Sequence, residues 1–163
     1  MIRGLTIAAC VAALGACSTP QQVPPGPGPT QAHFADDSHW IADDGYRLAF
    51  SSWPAAKPKA IIVALHGMND YGEAFAMPAK FWSEHGVSTY AFDQRGFGRT
   101  EGDGRWPGTP VMVADAREFI ALLRARHPGL PIYLMGESMG GAVAILSGAE
   151  NGGADGIILV SPA

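Results

Sequence analysis

Cysteine is nearly absent from this sequence: Cys10 and Cys17 are the only two, and both lie close to the N-terminus. The rest of the chain can form no disulfide and no thiolate metal site, so its stability must come from an apolar core. Charge is also sparse, at 16% of 163 residues, with a formal net charge of −4 and no run of lysine or arginine. That balance excludes the basic footprint of a nucleic-acid-binding protein. The 5 histidines are scattered without ligand spacing, so no metal site is expected. No apolar run reaches the ~20 residues that a bilayer-spanning helix requires. Histidine also stops early: none follows His127, and beyond Ser138 the only carboxylates are Glu150 and Asp155. What the sequence does hold is 47% hydrophobic residues, enough for one domain with a sizeable core.

Residues 1–16, MIRGLTIAACVAALGA, read as a removable signal, with Arg3 ahead of a short apolar run. Leu14-Gly15-Ala16-Cys17 resembles the lipobox of bacterial lipoproteins. The resemblance implies that Cys17 is lipidated, becomes the new N-terminus and holds the chain on a membrane. Ser18 in place of an aspartate implies the outer membrane of a bacterial cell envelope. The alternative is an ordinary secretory signal that happens to contain cysteine. Residues 17–32 alternate proline and glycine, which block helix and ladder alike, so a solvated tether is expected. At about 3.1 Å per residue it would reach about 40 Å. The domain proper then occupies 33–163.

Within the domain, residues 39–42 and 46–53 alternate in polarity about Asp43-Asp44-Gly45, the pattern of a hairpin. The continuous apolar run Ala60–Leu65, and the stretches Val87–Phe92 and Gly156–Val160, read as strands buried on both faces of a parallel sheet. Helices are expected over 74–85, with Phe75, Ala79 and Trp82 on one side, and from Thr109-Pro110 onward. The second carries Met112, Ala116, Phe119, Ile120 and Leu123 on its apolar face. Thr109 reads as its N-cap, Arg124 and Arg126 complement its C-terminal dipole, and Pro128 stops it. Strands alternating with helices describe an α/β fold: a mostly parallel sheet with helices on both faces.

The stretch 131–148, PIYLMGESMGGAVAILSG, carries the chemistry. An apolar strand over 132–135, a bend at Gly136-Glu137-Ser138-Met139-Gly140 and a small-residue helix form the context of a G-x-S-x-G nucleophile elbow. Gly136 and Gly140 let strand and helix approach closely, and the bend lifts the Ser138 hydroxyl above the sheet. The strand over 60–65 ends in His66-Gly67-Met68-Asn69-Asp70, and that over 87–92 in Asp93-Gln94-Arg95-Gly96-Phe97. Ligands of such sheets sit at these carboxyl ends. Arg95 and Asp93 read as a structural loop pair, with a catalytic role the alternative.

Together HGMND at 66–70, FDQRGFGRTEG at 92–102, GESMGG at 136–141 and IILVSPA at 157–163 resemble the α/β-hydrolase superfamily. Within it the likeness is to the monoacylglycerol lipase or lysophospholipase-like branch, akin to the serine aminopeptidases. It covers about residues 39–163. That family usually has histidine where Gln94 and Phe97 stand. The resemblance implies Ser138 as nucleophile, the backbone N–H groups of Met68 and Met139 as the oxyanion hole, and His66-Gly67 as the oxyanion loop. The expected activity is hydrolysis of small carboxylic esters, lipid-derived monoesters among them, through an acyl-enzyme. No cofactor is implied, because protein groups supply both nucleophile and anion site.

In this fold the acid and the histidine follow the serine along the chain, and no histidine follows Ser138. His66 as base is the weaker alternative. The reading is therefore the N-terminal part of a hydrolase, truncated after the strand that follows the nucleophile helix and inactive alone, with base and acid beyond residue 163. A peptidase or amidase of the same fold, and a non-catalytic membrane-anchored scaffold, remain open.

Overall fold

Alternation along Ala60–Leu65 decides where the core lies. Ile61, Val63 and Leu65 enter one apolar cluster, while Ile62 and Ala64 enter another on the opposite side. A strand buried on both faces must be central, and in the computed structural model it is. The structure describes residues 22–102, 104–149 and 153–163. The signal expected over 1–16, and Cys17 with it, lie outside the described residues.

Seven strands form one sheet: β1 (His33–Phe34), β2 (His39–Ile41), β3 (Arg47–Trp53), β4 (Ala60–Leu65), β5 (Val87–Phe92), β6 (Ile132–Glu137) and β7 (Gly156–Val160). Their order is β1-β2-β3-β5-β4-β6-β7. β1, β2 and β3 run antiparallel, β3 meets β5 antiparallel, and β5, β4, β6 and β7 are parallel. The helices are α1 (Ala76–Glu84), entered through a 3-10 turn at Gly72–Phe75, α2 (Thr109–Arg126) and α3 (Met139–Ala149). Phe75 and Trp82, from the 3-10 turn and α1, join the cluster around Ile62 and Ala64. α2 and α3 cover the other face, where Trp40, Phe50, Phe92 and Phe119 pack with ring centroids 5.0–5.7 Å apart. The expected sheet with helices on both faces is therefore present.

Three details differ from expectation. Thr109 is not the N-cap of α2; Gly108 is, at φ 95°, which leaves Thr109 already inside the first turn and its hydroxyl without a capping bond. β1, only 2 residues long, is too short to leave a period in the sequence. The third difference concerns the stretch expected as a free tether. Its described part packs on the domain, with Val23 buried.

Prolines take no part in a ladder, but the N–H groups between them can. Those of Gly26, Gly28 and Thr30 donate to Asp44 Oδ2, Asp44 O and Asp43 O at 3.0, 2.9 and 2.6 Å. Val23 Cγ2 lies 3.2 and 3.0 Å from where a Cβ would stand on Gly96 and Gly102, so two glycines make its seat. A proline-stiffened strand loses little conformational freedom on docking.

β7 is the outer strand. Ile157, Ile158, Leu159 and Val160 are 38–44% exposed, and no described strand pairs with its far edge. It lies parallel to β6, from Tyr133 opposite Gly156 to Glu137 opposite Val160.

Candidate functional site

The carboxyl ends of β4, β5 and β6 converge at one edge of the sheet, and Ser138 stands there at the junction of β6 and α3. The bend is tighter than its five-residue motif suggested. β6 runs through Glu137 and α3 begins at Met139, so the reversal falls on Ser138 alone. The cause is the ladder to β7, which continues past Glu137 when Ser138 N–H donates to Val160 O at 3.0 Å. Ser138 takes φ 49°, a left-handed conformation that costs a residue with a Cβ about 1–2 kcal/mol. The turn is braced from both sides: Gly141 and Ala163 N–H groups donate to Ser138 O at 2.9 and 3.1 Å.

Glycine is required around it by contact rather than by angle. A Cβ on Gly136 would lie 2.2 Å from Gly140 O, and one on Gly140 would lie 2.3 Å from Leu65 O and 2.8 Å from His66 O. The first turn of α3 therefore lies directly against the end of β4. Gly67 is beside the serine, its missing Cβ 3.5 Å from Ser138 Cβ. A side chain there would pack directly against the serine.

The loop after β4 holds the residues expected to bind an oxyanion. Met68 exposes 56% of its surface, whereas Met139 is buried at the start of α3. Among the described residues neither backbone N–H donates a hydrogen bond, and Ser138 Oγ has no partner. For Met139 this follows from helix geometry, since the first N–H groups of a helix point out of its end and carry its positive dipole. Asn69, at φ 60°, turns the chain away after Met68.

His66 is not placed to act as a base. Its Nδ1–H donates to Gly67 O at 2.7 Å and its Nε2 accepts from Gln94 N–H at 3.0 Å. Both ring nitrogens are committed, and burial lowers its pKa, which keeps the ring neutral. Asp155 is likewise engaged, accepting from Ile132 N–H at 2.7 Å and from Arg124 at 2.9 Å. Glu150 lies outside the described residues.

Arg95 and Asp93 do not pair with each other. Asp93, fully buried, accepts from Gly72 N–H at 2.7 Å and from Arg99 at 2.9 Å. Arg95 is 3% exposed and forks between two carboxylates. Its Nε and Nη2 reach Asp115 at 2.8 and 2.7 Å, and its Nη1 and Nη2 reach Asp44 at 2.5 and 3.0 Å. The guanidinium lies 4.4 Å over the Tyr46 ring. Burial raises Asp115 to about 6 against the pull of Arg95. For Asp44 burial also opposes ionisation, but hydrogen bonds from Arg95, Gly26 and Tyr46 outweigh it and hold the group at about 2. This network fastens the β5–α2 loop to the β2–β3 turn and to α2. Sequence reasoning treated Asp44 as a turn residue and passed over Asp115. The signal for Asp115 was there: it shares the apolar side of α2 with Met112 and Phe119, and a carboxylate on that side needs a buried partner.

Gln94 is the other residue the sequence left without a role. Its side-chain Nε2 donates to His66 O at 2.9 Å, and it is 1% exposed.

Residues 56–163 match the family model described as serine aminopeptidase, S33. Human monoglyceride lipase is 32% identical over 146 residues, which is 88% of this chain and 48% of that protein. A Bacillus subtilis phospholipase is 32% identical over 114 residues, 68% of this chain and 43% of that protein. Among solved structures, a thermostable carboxyl esterase from Bacillus coagulans superposes with a TM-score of 0.68 at 25% identity, over 76% of this chain and 43% of its own. The chain thus spans about half the length of the relatives it matches.

Proposed function

The chain belongs to the serine aminopeptidase S33 family of α/β-hydrolases, and from that premise we propose that it carries the nucleophile of a serine hydrolase of lipid-derived carboxylic esters. The observation that supports this most is the single-residue bend at Ser138, φ 49°, which leaves an unpartnered hydroxyl beside Gly67 and the undonated amides of Met68 and Met139. Ser138 Oγ attacks the ester carbonyl, and its proton passes to a base. The carbonyl oxygen gains a negative charge that the Met68 and Met139 N–H groups stabilise. Collapse breaks the ester C–O bond, the base protonates the departing alcohol, and an acyl-enzyme forms that water then hydrolyses. One such amide donor is worth about 3 kcal/mol at the transition state.

Base and acid are assigned to chain outside these 163 residues. The commitment of both His66 nitrogens supports this, as does the apolar, unpaired outer edge of β7, which suits further strands beside it. The lipid-ester substrate class is supported by the monoglyceride lipase and phospholipase relatives. A lipidated Cys17 would hold the enzyme on the outer membrane, next to such substrates.

The test is covalent labelling of the full-length protein with a fluorophosphonate. Wild type should label stoichiometrically, and Ser138→Ala not at all. Absence of labelling in the folded wild type removes the reading.

A further inference from the structure

We propose that Gln94 is a positioning residue for the oxyanion hole, acting through His66; this rests on the serine-hydrolase reading above. Gln94 grips His66 at two points. Its backbone N–H donates to the ring Nε2 at 3.0 Å, and its side-chain amide donates to the His66 carbonyl at 2.9 Å. The ring in turn donates from Nδ1 to Gly67 O at 2.7 Å. On the opposite side the same carbonyl lies against α3, 2.8 Å from where a Cβ on Gly140 would stand. The two peptide groups leading to the Met68 N–H are therefore fixed from three directions: by Gln94, by the His66 ring, and by the first turn of the helix that begins beside Ser138. Phe97 closes the remaining side of the ring, edge to face at 5.8 Å.

The amide is an expensive way to fill that space. Gln94 is 1% exposed, and among the described residues no group donates to its Oε1. A buried acceptor without a donor costs stability that an apolar side chain of the same shape would not. Packing alone thus favours methionine at this position, whereas holding the His66 carbonyl requires the amide. A donor displaced from where the oxyanion forms loses its effect steeply with distance, so the clamp's consequence falls on turnover.

Gln94→Met in the full-length enzyme separates these roles. With a short-chain p-nitrophenyl ester, kcat should fall about 10-fold while KM stays within about twofold. Affinity for an alkylboronic acid, which presents a tetrahedral oxyanion, should weaken by the same factor. The melting temperature should hold within about 3 °C. Gln94→Asn, which keeps the amide but withdraws it by one methylene, should show the same kcat and boronate losses and serves if the methionine variant does not fold. Unchanged kcat and boronate affinity in a labelled, active background overturns the proposal alone. A parallel loss in KM and melting temperature also overturns it, in favour of a packing role. A wild type that neither labels with fluorophosphonate nor binds the boronic acid overturns the serine-hydrolase reading instead.

Discussion

Replacing Arg95 with methionine keeps the aliphatic stem and removes the charge from a site where two carboxylates depend on it. The Asp115 side chain is 2% exposed and loses both partners that hold it at 2.8 and 2.7 Å. Asp44, at 32% exposed, retains solvent and the Gly26 and Tyr46 N–H groups. The cost is therefore dominated by Asp115, and breaking a buried pair from one side typically costs about 3–5 kcal/mol. It should also depend on pH. Burial already raises Asp115 to about 6 with Arg95 present, and without the guanidinium its pKa must rise further. A carboxyl whose folded pKa lies above its unfolded value keeps its proton longer in the folded state. Stability then falls as pH rises from the unfolded to the folded pKa. In wild type that decline ends near pH 6, but in Arg95→Met it continues at about 1.4 kcal/mol per pH unit. Urea denaturation at pH 5.5 and pH 8 should show a destabilisation of about 4 kcal/mol at pH 8 and roughly half that at pH 5.5. Adding Asp115→Leu should recover most of the loss, because it removes the orphaned charge. A cost below about 1 kcal/mol at pH 8, or one that does not grow with pH, would refute this account of the network.

Other substitutions probe separate parts of the molecule. Gly136→Ala places a Cβ 2.2 Å from Gly140 O, a backbone atom that cannot step aside. It should cost about 2–3 kcal/mol in denaturation and abolish labelling of Ser138. Burial raises Glu118 to about 7, and it accepts from Asp43 N–H at 2.9 Å. Its contribution to stability is greatest below the unfolded carboxyl pKa and declines towards pH 7. Melting temperatures of Glu118→Gln should accordingly vary less between pH 5 and pH 7 than those of wild type. Val23→Asp should release the docked N-terminal segment, seen as faster proteolytic cleavage within residues 22–32, and lower stability by about 2 kcal/mol.

The sheet was legible because its signals are local. Ala60–Leu65 and Gly156–Val160 are uninterrupted apolar runs, Val87–Phe92 is a short β-branched and aromatic stretch broken only by Ser88 and Thr89, and each became a parallel strand. The bend at Ser138 was legible for the same reason, since a strand, a glycine-flanked turn and a small-residue helix are consecutive in the chain. What escaped depends on partners far apart in sequence. Asp44, Arg95 and Asp115 meet across 51 and 20 residues, and nothing near any one of them names the others. The docking of residues 22–30 escaped because its prolines signalled an extended chain, which they are, but not a surface for it to lie on. Thr109 beside Pro110 looked like a cap because composition cannot separate a first helical residue from the one before it. The left-handed φ of Gly108 decided that.

The docked segment changes how the protein would hang from a membrane. With the chain held to the domain from about Val23, only residues 18–22 remain between it and Cys17. Five residues extend about 17 Å at most, comparable to the radius of gyration of about 14 Å expected for a domain of this size. Were Cys17 the lipidated residue, as proposed, the body could not swing as if on a long leash. It would be moored by one flank, and the direction its reactive edge faces would be set by where that segment leaves the surface.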